Sequence, residues 1–292
     1  MSLFLDYATR GRTRWWLYPL ATAAALVLAV IAFVVVYVAL AFARLVPPDL
    51  AADLTSPARH PVVFYIATGA TFGVVLLGFI LAIWLIHNKT PGDIIGRWSW
   101  RLTLLGAGIW LVVQVVGVGI DYAIAPSGFR LTLSPATGPL AAAAVLGLGV
   151  QTFAEEFVFR GYATQALLLA TRRPWVAAVL SGLLFGSLHI PNGWPQAANA
   201  VFFGVVTAMI AIRTGGLAFT FGLHVVNNIF GAVAVVSSAD VFKGSPGLFT
   251  QTAPQLMTWW DVGLGLVALV GVFWFIHRLP AAEADAPGEA FG

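Results

Sequence analysis

Long apolar stretches follow one another along almost the whole chain, and short polar segments separate them. A helix that crosses the hydrocarbon core of a bilayer needs about 20 apolar residues, with a range of about 17–25. Most of the stretches reach this length, so the pattern predicts an all-α polytopic membrane protein, a bundle of about eight transmembrane helices. The stretches span residues 15–43, 61–86, 102–125, 139–170, 175–190, 197–212, 216–236 and 256–276.

The fifth and sixth stretches are short, with 16 residues each, and an uncharged segment connects them. This segment reads Pro191-Asn192-Gly193-Trp194-Pro195, and proline and glycine interrupt helices. Irregular backbone at membrane depth is tolerated only where it is buried in protein or lines a wet cavity. The pattern therefore indicates a break inside the bundle.

Composition strengthens the membrane interpretation. The chain is 60% hydrophobic and only 9% charged, whereas soluble domains carry about 25% charged residues. Cysteine is absent, which excludes a disulfide framework and thiolate chemistry. We expect membrane lipid as a partner and no nucleic acid.

The distribution of basic residues predicts the orientation. With the N-terminus placed in the cytoplasm, eleven Lys and Arg residues fall on the cytoplasmic side and four on the outer side. The positive-inside rule therefore favours an integral protein of the cell membrane with both termini in the cytoplasm. The cytoplasmic set is Arg10, Arg12, Arg14, Lys89, Arg97, Arg101, Arg160, Arg172, Arg173, Arg213 and Arg278, and the outer set is Arg44, Arg59, Arg130 and Lys243.

The same pattern divides the chain into three parts. Residues 1–14 form a basic, cytoplasmic N-terminal leader, and residues 15–278 form a single transmembrane domain. Residues 279–292 form an acidic tail rich in Ala, Pro and Gly, which we expect to be disordered.

Three charged residues interrupt the fourth apolar stretch: Glu155, Glu156 and Arg160. A charge at the bilayer centre costs about 2.5–3.5 kcal/mol on insertion scales. On a helix, Glu156 and Arg160 are four residues apart and share a face, whereas Glu155 is turned about 100° away. We therefore expect Arg160 to neutralise Glu156 as structural support and Glu155 to point elsewhere.

Three further polar residues inside apolar stretches stand out: His189, His224 and Asn228. Counting 1.5 Å per residue from the cytoplasmic ends places them at depths that overlap with Glu155. Ionisable residues at membrane depth are functional candidates. We interpret six other polar residues as interfacial, water-exposed at span ends, or packing residues; they are Asp121, Asp261, His60, His87, His277 and Asn227.

Three motifs occur in order. They are Glu-Glu-x-x-x-Arg at 155–160, Phe-x-x-x-His at 185–189 and His-x-x-x-Asn at 224–228. They resemble the signature motifs of the CPBP family, the CAAX-protease and bacteriocin-processing group that includes type II CAAX prenyl proteases. The resemblance covers about residues 139–236, the core of that family, and implies an intramembrane peptidase.

The resemblance also implies roles for the residues. Glu155 activates a water with help from His189, while His224 and Asn228 donate hydrogen bonds to the oxyanion. We expect these four side chains to converge on one water-accessible cavity, open toward the cytoplasm or laterally to lipid. No cofactor is favoured; the alternative is a zinc ion bound by Glu155, His189 and His224.

Two other classes of function remain open. Buried Glu, Arg and His residues and broken helices also occur in ion-coupled transporters, but no inverted repeat is visible. A non-catalytic scaffold or immunity-type protein that binds a partner is the other alternative. For a protease, the substrate is a peptide or protein, with or without a lipid, and a prenylated tail, a bacteriocin leader and a short membrane peptide are all compatible.

Overall fold

The computed structural model describes residues 3–44, 46, 56–239, 241–252 and 257–278, and most of them are helical. Within these ranges, six helices are long and apolar enough to cross a membrane, and two shorter apolar helices accompany them. These eight correspond to the eight apolar stretches, so the predicted all-α membrane bundle is confirmed. The predicted disordered tail, 279–292, lies outside the described residues.

The described residues of the first half of the chain form five helices. They are α1 (Leu3–Thr9), α2 (Leu17–Phe42), α3 (Pro61–Ala82), α4 (Pro91–Ile95) and α5 (Trp100–Ile124). Helix α3 continues into a π-helical turn at Ile83–His87.

Six more helices follow in the part of the chain that the structure describes. They are α6 (Thr137–Glu155), α7 (Thr164–Thr171), α8 (Pro174–Ser187), α9 (Trp194–Thr214), α10 (Ala218–Ile229) and α11 (Trp259–Arg278). A π-helical segment, Glu156–Ala163, joins α6 and α7 into one long span, and another π-helical turn, Phe230–Ala234, ends α10. The predicted break between the fifth and sixth stretches contains a 3₁₀ turn at Ile190–Asn192.

A small sheet at one end of the bundle was not expected from the sequence. Its strands are β1 (Phe129–Leu131), β2 (Val235–Ser237) and β3 (Phe249–Gln251). The central strand β3 pairs antiparallel with β1 and parallel with β2. The sheet joins the loop after α5 to the segments between α10 and α11, and we call this end of the bundle the sheet end.

The opposite end, which we call the basic end, is held together by contacts between loops that lie far apart in sequence. Gly96 pairs with Gly216 through a backbone bridge, and Arg10 forms an ion pair with Asp93 at 3.2 Å. Arg213 donates hydrogen bonds to the backbone oxygens of Ile276 and His277 at the end of α11.

The N-terminal leader contains the short helix α1, which packs against the bundle. Phe4 is fully buried in a cluster with Leu168 of α7. The Lys89 ammonium is buried and donates a hydrogen bond of 2.8 Å to the Ala8 backbone oxygen. Burial lowers the pKa of Lys89 to about 8.

The expectation of a water-exposed His87 is wrong. Its side chain is fully buried. Nδ1 lies 2.7 Å from the Arg12 backbone oxygen, and Nε2 lies 3.0 Å from the Tyr162 hydroxyl. The folded leader covers this span end, so a position at the end of an apolar stretch does not give this imidazole access to water.

Helix α10, which carries two of the candidate residues, packs closely against α5. A Cβ on Gly106 of α5 would lie about 3.1–3.2 Å from the Phe219 carbonyl carbon and the Leu223 nitrogen of α10. Only glycine allows this approach without displacing the α10 backbone. Helix α9 in turn packs against α8 and α11, so the candidate residues are held between well-packed helices.

Candidate active site

The Glu156 and Arg160 side chains form a fully buried pair within the π-helical segment. Arg160 Nε lies 3.4 Å from Glu156 Oε1 and donates a hydrogen bond of 2.9 Å to Thr207 Oγ1 of α9. The π-helical geometry is itself braced, since the Phe159 carbonyl oxygen accepts hydrogen bonds from the hydroxyls of Thr164 and Ser181.

Aromatic rings surround the rest of the Arg160 guanidinium. Its central carbon lies 3.9 Å from the centroid of the Phe185 ring and 5.4 Å from that of Phe203. Nη1 and Nη2 have no hydrogen-bond acceptor among the described residues. A desolvated guanidinium over an aromatic face gains about 2 kcal/mol or more, so these rings complete the environment of the charge.

Glu155 points away from the Glu156–Arg160 pair and contacts the imidazole ring of His224. Its Oε2 lies 3.5 Å from His224 Nε2, and its Oε1 accepts a hydrogen bond of 3.2 Å from Gln151. The side chain is 13% exposed, whereas that of Glu156 is fully buried. The two adjacent carboxylates therefore occupy different environments.

His224 lies between the two carboxylates. Nδ1 lies 2.8 Å from Glu156 Oε1, and Nε2 faces Glu155. Because an ionised carboxylate only accepts hydrogen bonds, Nδ1 carries the hydrogen of the Glu156 contact. In the doubly protonated ring, Nε2 would also be a donor, directed toward Glu155.

His189 lies just beyond the end of α8 and contacts the same aromatic ring as His224. The centroid of Phe185 is 4.7 Å from that of His189 and 5.9 Å from that of His224. His189 Nδ1 lies 3.0 Å from the Phe185 backbone oxygen. Since a carbonyl only accepts, Nδ1 is the donor, and Nε2 is the acceptor of the neutral ring.

Asn228 belongs to a chain of hydrogen bonds between α5, α10 and α6. Trp110 Nε1 donates to Asn227 Oδ1 at 3.0 Å, and Asn227 Nδ2 donates to Asn228 Oδ1 at 3.2 Å. Asn228 Nδ2 then donates to Thr152 Oγ1 at 3.1 Å. These hydrogen bonds fix the orientation of the Asn228 amide, with Oδ1 toward Asn227 and Nδ2 toward Thr152 of α6.

A cavity of about 640 Å³ brings these groups together. Its lining includes His189, His224 and Asn228, and Glu155 approaches it through His224. The cavity extends from these residues toward the sheet end. We expected an opening toward the cytoplasm or laterally to lipid, and the exposed lining residues Val112 and Val267 fit the lateral one.

Other polar residues of the cavity were missed or interpreted differently from the sequence. Asp121 and Asp261, expected at the interface, both line the cavity. Gln196 and Asn199 of α9 and Gln114 of α5 also line it. The spacing of Gln196 and Asn199 could have predicted that both line the cavity, since residues three apart share a helix face.

The donor types at the site suit a zinc ion, which binds imidazole and carboxylate ligands. Among the described residues, however, no three His, Asp or Glu side chains come together as a group that could hold a metal. Glu155 and His224 are in contact, but His189 does not join them as a third ligand.

Comparison with known proteins supports the family resemblance. Residues 137–230 match the family model described as type II CAAX prenyl endopeptidase Rce1-like, and this segment contains all six candidate residues. The resemblance stated from the motifs is thereby confirmed. At the family level the match supports an endopeptidase, and the apolar helices support an integral membrane protein.

The similarity to a curated relative extends over nearly the whole chain. The uncharacterized protein YyaK of Bacillus subtilis (strain 168) is 26% identical over 284 residues, which cover 92% of this chain and 94% of the relative. No solved structure gives a significant match.

Proposed function

We propose that this chain is an intramembrane endopeptidase that hydrolyses a peptide bond in a membrane-associated peptide or protein. One observation carries the proposal: His189, His224 and Asn228 line one cavity, and Glu155 lies 3.5 Å from His224. Peptide hydrolysis needs an activated water, a polarised carbonyl and a proton for the leaving amine. This set of side chains contains a group for each task.

Glu155 is the general base in this proposal. Gln151 and His224 hold its carboxylate from two sides. It takes a proton from a water whose oxygen attacks the carbonyl carbon, and it returns that proton to the amine as the C–N bond breaks. His189 orients the same water through Nε2, because its Nδ1 is bound to the Phe185 backbone oxygen.

Asn228 and the doubly protonated form of His224 stabilise the oxyanion, because His224 Nε2 donates a hydrogen bond only in that form while Nδ1 is bound to Glu156. One amide hydrogen of Asn228 is directed to Thr152, and the second remains for the substrate because an amide group carries two. Glu156 holds the His224 ring through Nδ1. Glu156 and Arg160 therefore act as structural support rather than on the substrate.

The proposed reaction uses no metal. The alternative is a zinc ion held by Glu155, His189 and His224, and it would need His189 to move toward the other two, because the three do not form a group in this structure. Cleavage that persists after dialysis against a zinc chelator supports the first version. Loss of cleavage that is restored by zinc supports the second.

The test of the proposal uses the purified, full-length protein in detergent and a library of apolar peptides, each with and without a prenyl group. We expect cleavage by the wild type and a loss of about 10²–10⁴-fold in Glu155→Gln. Equal turnover by both proteins, or none by either, would contradict a Glu155-dependent peptidase. The prenylated and unprenylated pairs decide whether a lipid is part of the substrate.

A further inference from the structure

The cavity is a cleft between two helices that face each other across it. Helix α5 packs against α10, and α11 packs against α9. Val112 of α5 and Val267 of α11 both line the cleft and are 63% and 72% exposed. The rims of the cleft are therefore apolar and face the lipid, while His224 and Asn228 lie on its inner wall.

Two carboxylates mark the part of the cleft nearest the sheet end. Asp121 is in the last turn of α5, and Asp261 is in the first turn of α11. No Lys or Arg occurs among the described residues that line the cleft. Besides the imidazoles of His189 and His224, the ionisable side chains of the described lining are therefore the two carboxylates.

Neither carboxylate has a cationic partner among the described residues. Asp121 Oδ2 accepts a hydrogen bond of 3.3 Å from Gln251 Nε2 of β3. Asp261 Oδ2 accepts hydrogen bonds of 2.7 Å from the backbone nitrogen and the hydroxyl of Thr258. Neutral partners fix the positions of both side chains, and the N-terminus of α11 also stabilises Asp261. Within the described part of the chain neither carboxylate has a counter-ion, in contrast to Glu156 beside Arg160.

Charge complementarity then identifies the occupant of the cleft. A carboxylate without a counter-ion beside a low-dielectric surface attracts a cation more strongly than one in bulk water does. The apolar rims suit the apolar side chains of a membrane-associated peptide. An extended strand can reach the inner wall from the sheet end, because a peptide advances about 3.3 Å per residue.

Building on the proposed peptidase function, we infer that the cleft admits an extended apolar peptide from the sheet end, with a Lys or Arg side chain of the substrate bound at Asp121 and Asp261. The peptide bond to be cleaved then lies deeper, beside Glu155 and His224. By the positive-inside rule the sheet end faces outward, so the substrate arrives from the outer leaflet or the outer surface.

The first test measures the charge and access of the cleft without requiring catalysis. The chain has no cysteine, so single cysteines can be placed at Ala268→Cys in the cleft, Ser127→Cys at the sheet end and Thr9→Cys at the basic end. Each is treated with a cationic and an anionic methanethiosulfonate, applied to one side of sealed membranes at a time.

We expect Ala268→Cys to react from the same side as Ser127→Cys. Its preference for the cationic reagent should exceed that of Ser127→Cys by about tenfold, and Asp121→Asn with Asp261→Asn should remove this excess. The inference would be overturned if Ala268→Cys and Ser127→Cys showed the same preference between the two reagents. It would also be overturned if Ala268→Cys reacted from the side that reaches Thr9→Cys, or did not react at all.

The second test uses quenched-fluorescence peptides with one apolar sequence and Lys, Gln or Glu at successive positions beside the cleaved bond. We expect kcat/KM for the best Lys peptide to exceed that of its Gln counterpart by about tenfold. The Asp121→Asn, Asp261→Asn double variant should equalise the two, and Asp6→Asn at the basic end should leave the ratio unchanged.

The outcomes separate the two proposals. Cleavage without a preference for Lys would overturn the inference alone. Absence of cleavage of every peptide would overturn the peptidase function, and the inference with it, even if the cleft proved to be cation-selective.

Discussion

At the scale of single residues, two adjacent glutamates have different surroundings. Glu156 is fully buried between Arg160 and His224, whereas Glu155 is partly exposed and contacts Gln151 and His224. Removing one partner of a buried ion pair destabilises a protein far more than replacing both partners together, because the remaining charge stays buried without compensation. The two glutamates should therefore respond differently to the same substitution.

We predict that Glu156→Gln lowers the free energy of unfolding by about 3–5 kcal/mol, because Arg160 stays buried without its counter-charge. Glu155→Gln should unfold at nearly the wild-type temperature. Thermal unfolding of both variants in one detergent measures the difference. The double variant Glu156→Gln, Arg160→Met should recover part of the loss, and a stable Glu156→Gln beside an unstable Glu155→Gln would reverse the assignment.

In the proposed reaction Thr152 is a positioning residue, since its buried hydroxyl accepts the hydrogen bond of Asn228 Nδ2. Thr152→Val keeps the shape and removes the acceptor, so we expect kcat to fall by about tenfold with KM nearly unchanged. Thr152→Ser keeps the hydroxyl and should retain activity. If Val and Ser variants behaved alike, the hydrogen bond would have no role in positioning Asn228.

At the scale of secondary-structure elements, the distance between α5 and α10 sets the position of His224. Gly106 lies against the α10 backbone at Phe219 and Leu223, and Leu223 directly precedes His224. By contrast, Gly108 on the same helix has open space where a Cβ would be placed. The two glycines form a matched pair for testing this contact.

Gly106→Ala should destabilise the protein by about 1–3 kcal/mol, because the new Cβ forces the α10 backbone away. Gly108→Ala should be neutral or stabilise by up to about 1 kcal/mol, since alanine is the better helix former. Thermal unfolding and turnover of the two variants provide the comparison. Equal effects at both positions would mean that close packing of α5 on α10 does not hold the site.

The π-helical segment is a second feature at this scale. Glu156 and Arg160 both lie within it, and π-helical turns are rare and often occur at functional sites. Hydroxyls of Thr164 and Ser181 bind the Phe159 carbonyl oxygen. These side-chain bonds stabilise a local geometry that a regular α-helical period does not produce.

At the scale of the whole molecule, the two ends of the bundle differ in charge. Arg44, Arg59, Arg130 and Lys243 belong to the sheet end, and most other basic residues belong to the basic end. Contacts such as Arg10 with Asp93 and Arg213 with the end of α11 hold the basic end together. This asymmetry supports the prediction of cytoplasmic termini.

Reporter fusions after Arg130 and after Lys243 should report an outside location, and a C-terminal fusion should report a cytoplasmic one. An alkaline phosphatase and a fluorescent-protein reporter at each site give opposite signals and check each other. A cytoplasmic signal at either sheet-end site would overturn the predicted orientation.

The apolar spans and the family motifs were predictable from the sequence because each depends on local information. The transfer free energy of a stretch follows from its own composition, and Glu156 and Arg160 lie within one helical turn of each other. The resemblance of residues 139–236 to a protease family likewise rests on motifs that can be read in order along the chain.

Only the tertiary structure decided which distant groups meet. It places His224, rather than His189, against Glu155, buries His87 under the N-terminal leader, and extends the cavity to the sheet end. These features depend on how helices rotate and pack against one another, which the period of a single helix does not specify. Asp121 and Asp261 lie 140 residues apart and line one cleft because α5 and α11 face each other across it.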